Sequence, residues 1–300
     1  MSRTMWDEQY EQRVCEAFGV PAPTPLAAAR ALGFVEREAE ILARMFEAQQ
    51  HRLPAGASLA GFALQAGNLP VQRAAEGFAP LAERSMGLYA IVDSADWIER
   101  VLAAGVRTVQ LRVKQAEPGR LAAEIARSVA AARAAGAQLF VNDHWREAIA
   151  QGAYGVHLGQ EDLDTADLGA IRRAGLRLGV STHAYWEVCR AWALRPSYIA
   201  CGPIHATQLK VMPWTPQGED NLAYWCALLS EVPVVGIGGM DAARCAEAMR
   251  CGADGVCVVS AVTGAADPEA AIAGLQAAVA RGRAAPRRPV PMLARSTLRA

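Results

Sequence analysis

The chain has 300 residues, 52% of them apolar, and its 30 basic and 30 acidic residues give a formal net charge of zero. This balance indicates no nucleic-acid or membrane-surface partner, and no apolar run reaches the roughly 18 residues of a membrane span. The polar N-terminus lacks the apolar core of a signal peptide, and the seven cysteines include no Cys-x-x-Cys pair. We therefore expect a cytoplasmic protein with reduced thiols and neither a nucleic-acid nor a membrane partner.

Residues 1–85 are predicted to form a helical and irregular N-terminal extension. The stretch 25–50 has helix-like apolar spacing and follows a turn-prone Pro-Ala-Pro-Thr-Pro segment. The extension contains no clear strand and no concentration of reactive side chains. It is expected to pack on the main domain or on a partner, including a second copy of the chain in a homo-oligomer.

Residues 86–280 alternate short β-rich runs with Ala-rich amphipathic stretches such as 119–136. Strands are predicted at 88–92, 108–112, 138–142, 155–158, 177–181, 198–202, 234–238 and 255–259. Four helical stretches end in a glycine, which is a C-cap signal: Gly105, Gly136, Gly175 and Gly252. The alternation indicates parallel βαβ units, and eight of them predict a (β/α)₈ TIM barrel of the α/β class. A doubly wound open sheet is the alternative that strand counting leaves open.

The C-terminal tail, residues 281–300, contains six arginines, three prolines and no acidic residue. A segment of such low hydrophobicity and high net charge is predicted to be disordered.

Lysine is rare in this chain: only Lys114 and Lys210 are found among the 30 basic residues. The bias suggests that both positions need a compact ammonium group, and chance retention is the alternative. Lys114 ends a series with Gln110 and Arg112, whose spacing of two places the three side chains on one side of an extended chain. One amide and two cations at a strand end suit a diphosphate; a polar strand end facing solvent is the alternative.

Two aspartates follow successive predicted strands. Asn142 and Asp143 close the third strand, and Asp162 follows the fourth. The carboxyl ends of barrel strands form one face, so the two carboxylates can converge there. Carboxylates beside phosphate oxygens suit Mg²⁺, whereas helix N-capping is the alternative for each aspartate alone. Together with the basic series, the pair favours one Mg²⁺ ion.

The later strand ends also carry polar groups. Ser181, at the end of the fifth strand, can bind substrate or cap the next helix. The long loop after the sixth strand contains Thr207 and Lys210, and long loops on compact barrels are usually functional. Glycines after the seventh strand and backbone amides after the eighth are typical of a barrel phosphate site. The residues therefore predict a site for a diphosphate with Mg²⁺ and for a separate monophosphate.

Seven segments at these strand ends resemble one known family. Over residues 86–280, the order and spacing of these segments look like those of thiamine phosphate synthase. The segments are QLRVK, NDHW, GVHLGQED, GVSTH, TQLK with PQG, GIGG and VVSA. The resemblance implies a (β/α)₈ barrel transferase. Such an enzyme joins 4-amino-2-methyl-5-hydroxymethylpyrimidine diphosphate to 4-methyl-5-(2-phosphoethyl)thiazole, giving thiamine phosphate and pyrophosphate.

The resemblance also implies a role for individual residues. The pyrimidine diphosphate would be held by Gln110, Leu111, Arg112, Val113, Lys114, Asn142, Ser181 and Lys210. The thiazole phosphate would be held by Thr207, Gln208, Leu209, Gly239, Val259 and Ser260. Asp143 and Asp162 would bind the Mg²⁺ ion. The catalytic charges would be Arg112, Lys114 and Lys210, which can neutralise the departing pyrophosphate. No proton-transfer role is predicted for His144, His157, His183 or His205.

One position departs from the family pattern. Leu209 stands where a threonine is common, which removes a hydroxyl expected near the thiazole phosphate. Two alternatives to the synthase remain: a thiazole tautomerase-like barrel isomerase and a non-catalytic ligand-binding relative. The complete diphosphate and Mg²⁺ set favours the synthase, because an isomerase acting on a monophosphate needs neither.

Overall fold

The structure, a computed structural model, describes residues 26–27, 30, 38–40, 43, 73–114, 117–207, 214–291 and 294–297. Eight parallel strands close into a barrel in which each strand pairs with its neighbours in the chain. They are β1 (Gly87–Val92), β2 (Thr108–Leu111), β3 (Gln138–Asn142), β4 (Gly155–Leu158), β5 (Arg177–Thr182), β6 (Tyr198–Cys201), β7 (Val234–Ile237) and β8 (Gly255–Val258). The predicted barrel is confirmed, and the open-sheet alternative is wrong. Each predicted strand end lies within one residue of the observed one.

Helices follow the strands and form the outer layer. They are α1 (Ala95–Ala103), α2 (Pro118–Ala134), α3 (Trp145–Ala150), α4 (Leu168–Arg173), α5 (Tyr185–Leu194), α6 (Gly218–Leu228), α7 (Ala242–Arg250), α8 (Ser260–Thr263) and α9 (Pro268–Ala284). A short 3₁₀ helix, Asp162–Asp164, lies between β4 and α4. Among the described residues, no helix is both long and apolar enough to cross a membrane.

The barrel interior is filled by aromatic rings. Tyr89, Phe140 and Tyr198 are fully buried, with ring centroids 4.9 to 6.0 Å apart. Glycines on the paired strands make room for them. A Cβ at Gly155 would lie 2.7 Å from the Phe140 ring, and a Cβ at Gly179 would lie 2.2 Å from the Tyr198 ring. Large rings on some strands therefore require glycine at the facing positions of their neighbours.

A second, aliphatic core lies between the strands and the helices. Successive strand residues point to opposite sides of the sheet, so the residues that alternate with the inward-facing ones face this aliphatic layer. Examples from five strands, all at most 1% exposed, are Val109, Leu139, Val156, Leu178 and Ile199. The strands are thus apolar on both faces, as expected for a parallel barrel covered by helices.

The predicted glycine C-caps are confirmed. Gly105, Gly136, Gly175 and Gly252 have φ angles of 89°, 60°, 72° and 102°, in the left-handed region that glycine adopts without steric cost. Each one ends a helix and leads into a strand or the loop before it. These turns set the strands in register with their neighbours.

Residues 73–85 pack against the amino-terminal end of the barrel. Phe78 is buried, and its N–H donates to the Arg195 carbonyl at 3.0 Å. The Ser197 hydroxyl donates to the Ala79 carbonyl at 2.6 Å, and Arg84 pairs with Asp254 at 2.9 Å. This end of the extension is therefore part of the barrel's packing. Of the earlier residues, those that the structure describes are helical, as predicted.

The described part of the C-terminal tail differs from the predicted disorder. Helix α9 continues through Arg281 to Ala284, and Ala294 and Thr297 are 1% and 2% exposed. The Arg288 guanidinium pairs with Asp220 of α6 at 2.8 Å. Composition alone gave the wrong prediction because it counts the charges of a segment without showing which partners on the barrel accept them.

Candidate active site

The predicted site residues gather at the carboxyl end of the barrel. They are Gln110 and Leu111 in β2 with Arg112, Val113 and Lys114 after it, Asn142 and Asp143 at β3, Asp162 after β4, Ser181 in β5, Thr207 after β6, Gly239 after β7, and Val259 and Ser260 after β8. Gln208, Leu209 and Lys210 lie outside the described residues, so their roles stay predictions. The structure thus places the remaining predicted residues around one mouth.

The carboxyl groups of Asp143 and Asp162 meet at this mouth. Asp143 directly follows β3 with φ 62°, a sparsely populated region that aspartate tolerates better than most residues. The Oδ2 of Asp162 accepts a hydrogen bond from the Gly159 N–H at 3.1 Å. Partial burial raises the pKa of Asp143 to about 6, as do the charge of Asp162 and a hydrogen bond shared with it. Two acids this close repel each other when both are ionised, unless a cation joins them.

The capping alternative for these aspartates is wrong. The N-cap residue of α3 is His144, with no side-chain cap bond, and α4 is capped instead by Asp167, whose carboxylate accepts from Ala170 N–H. Asp162 lies inside the 3₁₀ helix rather than before it. Within the described chain, no group of three or more His, Cys, Asp or Glu side chains has metal-binding geometry. A two-carboxylate donor set matches Mg²⁺, which usually takes one or two carboxylates together with phosphate oxygens and water.

The basic series divides between the interior and the surface. The Gln110 amide is 2% exposed and donates to the Tyr89 hydroxyl at 3.0 Å, whereas Arg112 and Lys114 are exposed. Arg112 lies close enough to Asp143 to lower the pKa of that carboxyl, opposing the effect of Asp162. The structure therefore separates the series: the Gln110 amide points inward, whereas Arg112 and Lys114 are exposed after the end of β2.

Leu111 and Val113 alternate with that series. Leu111 is 1% exposed and belongs to the aliphatic core behind the strands, against which Val113 also packs. The Val113 carbonyl is 2.9 Å from Nε2 of His144. Contact of either residue with a ligand at the mouth is therefore limited to main-chain atoms.

A continuous polar chain crosses the barrel beneath the mouth. The Tyr89 hydroxyl, which accepts from Gln110, is 2.9 Å from the Tyr198 hydroxyl. Tyr198 in turn is 2.7 Å from Nδ1 of His157, whose Nε2 is 2.8 Å from the Ser181 hydroxyl. Burial lowers the pKa of His157 to about 3, helped by the positive charge of Arg112 and then by His183, so the imidazole is neutral. Ser181 and Gln110 are thus fixed by one network.

The two tyrosines of this network were missed by sequence reasoning. Tyr89 and Tyr198 are 109 residues apart in the chain, and each lies in a short run that reads as ordinary buried strand. The available signal was a tyrosine within each buried strand, because a buried tyrosine hydroxyl usually has a hydrogen-bond partner. That signal becomes specific only when the strand register is known.

Ser181 lies near the end of β5, and His183 lies in the turn between β5 and α5. Ser181 does not cap α5, whose N-cap residue is Ala184. His183 stacks on Trp214 with ring centroids 4.2 Å apart, and its Nδ1 is 2.8 Å from the buried carboxylate of Glu187. The capping alternative for Ser181 is therefore wrong, and its hydroxyl is directed to His157 at the mouth.

The opposite side of the mouth is built from main chain. Ile237 and Cys257 pair in the β7–β8 register, and the chain continues from them to Gly239 and Val259. Gly239 has φ 63°, and a Cβ there would lie 2.6 Å from the Ala206 carbonyl oxygen. Ser260 begins α8, whose first N–H groups have no partner within the helix. This arrangement suits an anion bound by backbone N–H groups.

Comparisons with known proteins agree with this geometry. A family model described as thiamine monophosphate synthase matches residues 88–262. The chain belongs to the thiamine monophosphate synthase family. The thiamine-phosphate synthase of Neisseria meningitidis serogroup A is 52% identical over 200 residues, which are 67% of this chain and 97% of that protein. The thiamine-phosphate synthase of Escherichia coli K12 is 52% identical over 198 residues, 66% of this chain and 93% of that protein.

A solved structure supports the same assignment. The thiamine phosphate pyrophosphorylase of Pyrococcus furiosus aligns with a TM-score of 0.57 and 26% identity, covering 66% of this chain and 98% of its own. The family and enzyme class predicted from the sequence are confirmed: the chain is a transferase of thiamine phosphate synthesis that acts on small molecules. The family match includes every predicted site residue, whereas residues before 88 and after 262 lie outside it.

Proposed function

We propose that this family member joins the pyrimidine diphosphate to the thiazole phosphate at the carboxyl-end mouth, with one Mg²⁺ ion assisting. The observation that carries the proposal is the contact between the Asp143 and Asp162 carboxyl groups beside Arg112. An acidic pair next to a cation is unsuited to a monophosphate alone, because the carboxylates would repel it. It is well suited to a diphosphate that arrives with a divalent cation.

Asp143 and Asp162 would hold the Mg²⁺ ion. When bound, Mg²⁺ would neutralise charge on the diphosphate oxygens. The exposed cations of Arg112 and Lys114 follow β2, which pairs with β3 ahead of Asp143, and are proposed to bind the same diphosphate. Lys210, at the loop after β6, is proposed to complete the set.

The bond changes in this reaction need no protein nucleophile. The C–O bond between the pyrimidine methylene and the diphosphate breaks, and pyrophosphate leaves with the electron pair. The aminopyrimidine ring stabilises the methylene cation, and the thiazole nitrogen lone pair then forms the new C–N bond. Fixed positive charges at Arg112 and Lys114 stabilise the negative charge that develops on the leaving group. The neutral His157 is held between Tyr198 and Ser181, in agreement with an orienting rather than a proton-transferring role.

The pyrimidine is proposed to sit above the interior network. Gln110, Asn142 and Ser181 present polar groups at the inner edge of the mouth, and Gln110 and Ser181 are held by Tyr89 and His157. The thiazole phosphate is proposed to bind opposite them. Its donors would be main-chain N–H groups near Gly239, Val259 and Ser260, together with Thr207, Gln208 and Leu209 of the β6 loop.

One assay tests this function. The full chain is mixed with both substrates and Mg²⁺, and pyrophosphate and thiamine phosphate are quantified together. The expected result is equal amounts of both products, only when both substrates are present. Pyrophosphate released from the pyrimidine substrate alone would indicate a hydrolase. Binding of both substrates without product would indicate the non-catalytic relative, and isomerised thiazole phosphate would indicate the tautomerase-like enzyme.

The site geometry is also consistent with a reducing, cytoplasmic setting. All six cysteines that the structure describes are free thiols. We retain the cytoplasmic location and the homo-oligomer through the N-terminal extension as proposals; fractionation and sedimentation would test them.

A further inference from the structure

Two parts of the chain outside the family match meet at the mouth. Glu38 precedes the matched residues 88–262, and the stretch 294–297 follows them. Both parts contact the turn between β5 and α5 or the end of the loop after β6. We call Glu38 together with Arg295, Ser296 and Thr297 the rim clasp.

Glu38 holds the beginning of α5. Its carboxylate is 1% exposed; Oε1 accepts from the Tyr185 N–H at 2.9 Å, and Oε2 accepts from the Ser296 hydroxyl. Tyr185 is the first residue of α5, whose own N-cap residue, Ala184, offers no side-chain acceptor. A carboxylate at a helix N-terminus satisfies an unpaired N–H and interacts favourably with the helix dipole. Glu38 therefore supplies the cap that the barrel sequence lacks.

Thr297 joins the two loops of the mouth. Its hydroxyl donates to the His183 carbonyl at 2.6 Å, and its own carbonyl accepts from the Thr215 N–H at 2.7 Å. The Gln217 amide donates to the same His183 carbonyl at 3.0 Å. His183 lies two residues after Ser181, and Thr215 lies five residues after Lys210. A single buried threonine thus ties the turn after Ser181 to the end of the β6 loop at Thr215.

Arg295 fixes this threonine in place. Its main-chain N–H donates to Asn221 Oδ1 at 2.8 Å, and its carbonyl accepts from Asn221 Nδ2 at 2.9 Å. Its guanidinium donates to the Pro216 carbonyl. Asn221 is 1% exposed and lies in α6, which begins where the β6 loop ends. The tail is therefore attached to a rigid element, and its position is transmitted to both loops.

We propose that the rim clasp is a positioning device that fixes the turn after Ser181 against the end of the β6 loop at Thr215, on the side of the mouth assigned to the pyrimidine diphosphate. The inference rests on the proposed function, because it assigns Ser181 to that substrate. The thiazole phosphate is assigned mostly to main chain near Gly239 and Ser260 and to the beginning of the β6 loop at Thr207, whereas the described contacts of the clasp with that loop lie at its end, at Thr215 and Pro216. Loss of the clasp should therefore affect one substrate more than the other.

The test compares two shortened chains. One ends after Leu293 and lacks the clasp residues of the tail; the control ends after Thr297 and keeps every contact described above. We expect the shorter chain to raise KM for the pyrimidine diphosphate about tenfold, with KM for the thiazole phosphate within about twofold. The control should match the full chain in both constants.

A double variant removes the two hydrogen bonds donated by the Ser296 and Thr297 hydroxyls and leaves the backbone intact. Ser296→Ala with Thr297→Val should raise the same KM by about fivefold, the scale of one or two hydrogen bonds. Thr297→Ser, which keeps the hydroxyl, should retain the wild-type value. This pair decides the question if the shortened chain does not fold.

Three results would overturn the proposal that the rim clasp is a positioning device. They are unchanged KM values in both folded variants, an equal rise in both KM values, and a lower melting temperature with unchanged kinetics. Failure of the proposed function is distinguishable, because the full chain would then form no product from the two substrates at all.

Discussion

At the scale of the residue, the side chains of the mouth differ from those of the outer surface in their partners. On the outer helices, arginines pair with acids, as Arg127 does with Glu99 at 2.6 Å and Arg100 with Glu269 at 2.6 Å. At the mouth, Asp143 meets another acid. Like charges brought together in this way are costly unless a ligand joins them. This arrangement favours function over stability at the site.

The need for lysine at position 114 can be tested by changing the shape of the side chain without changing its charge. We expect Lys114→Arg to lower kcat about tenfold, because a planar guanidinium cannot place its charge where the compact ammonium does. Steady-state pyrophosphate release measures this effect. The reverse change at an exposed residue of α2, Arg120→Lys, is the matched control and should leave kcat unaltered. Full activity of Lys114→Arg would mean that the lysine was retained by chance.

The carboxylate pair should make Mg²⁺ binding dependent on pH. The pKa of Asp143 is raised from 3.8 to about 6, chiefly by burial and then by Asp162, with Arg112 and His144 opposing. A carboxyl group whose pKa is raised on folding contributes stability that is fully present below the pKa it has in the unfolded chain. That contribution is lost as the pH rises through the pKa it has in the folded protein. The metal-free protein should therefore lose stability between about pH 4 and pH 6, and Mg²⁺ should restore it above that range.

Melting temperatures with and without Mg²⁺ at about pH 5 and pH 8 would show this linkage. The Mg²⁺-induced rise should be large at the higher pH and small at the lower one. Asp143→Asn should abolish the difference between the Mg²⁺-induced rises at the two pH values. An equal rise in melting temperature at both pH values, or a pH-dependent rise that persists in the variant, would show that Mg²⁺ binds elsewhere.

At the scale of the element, the turn after β7 shows how backbone geometry builds a binding surface. Gly239 has φ 63° and lies against the Ala206 carbonyl, whereas Gly136 has φ 60° with no atom within 4 Å of the added Cβ position. Alanine at either position adopts the left-handed conformation at a cost of roughly 1–2 kcal/mol. Only at Gly239 does the methyl group also displace the β6 loop.

Gly239→Ala should therefore raise KM for the thiazole phosphate by about tenfold, and Gly136→Ala should not change it. Both variants should lose stability in thermal or urea unfolding, and Gly239→Ala should lose more because its methyl group also meets the Ala206 carbonyl. The paired measurement separates backbone strain from damage to the phosphate site. A similar KM in the two variants would remove Gly239 from that site.

The elements themselves were predictable from sequence because their signals are local. Runs of apolar residues, amphipathic stretches and glycine caps such as Gly105 predicted all eight strands to within a residue. Contacts across the barrel are not local. The Tyr89–Tyr198 hydrogen bond joins residues 109 apart, and whether Asp143 caps a helix or meets Asp162 depends on side-chain direction. The tail was mispredicted for the same reason, since Asn221 is its partner only in the folded chain.

At the scale of the whole molecule, the barrel has chain segments packed at both ends. Residues 73–85 pack at the amino end through Phe78 and Arg84, and the rim clasp lies at the carboxyl end. All of the residues proposed to act in catalysis belong to the part matched by the family, residues 88–262. The added segments surround that part, so they can influence its stability and geometry without supplying reactive groups.

Shortening the N-terminus at two points tests this division. Two chains that both lack Glu38 are compared, so the difference between them reports residues 73–85 alone. The one that starts at Arg73 keeps the buried Phe78 and the Arg84–Asp254 ion pair. A chain that starts at Met86 loses both and should be destabilised by about 3 kcal/mol or more, the usual cost of removing a buried phenylalanine. Equal urea midpoints for the two would show that residues 73–85 contribute nothing to the barrel.

The central claim is that the Asp143–Asp162 pair holds the Mg²⁺ ion that assists departure of pyrophosphate. It is tested most directly by the Mg²⁺ dependence of product formation in Asp143→Asn, with Asp167→Asn as the matched control because Asp167 caps α4. We predict that Asp143→Asn folds, loses about a hundredfold or more in kcat, and recovers partly in excess Mg²⁺. Asp167→Asn should keep the wild-type Mg²⁺ dependence. Full activity of Asp143→Asn at low Mg²⁺ would contradict the account.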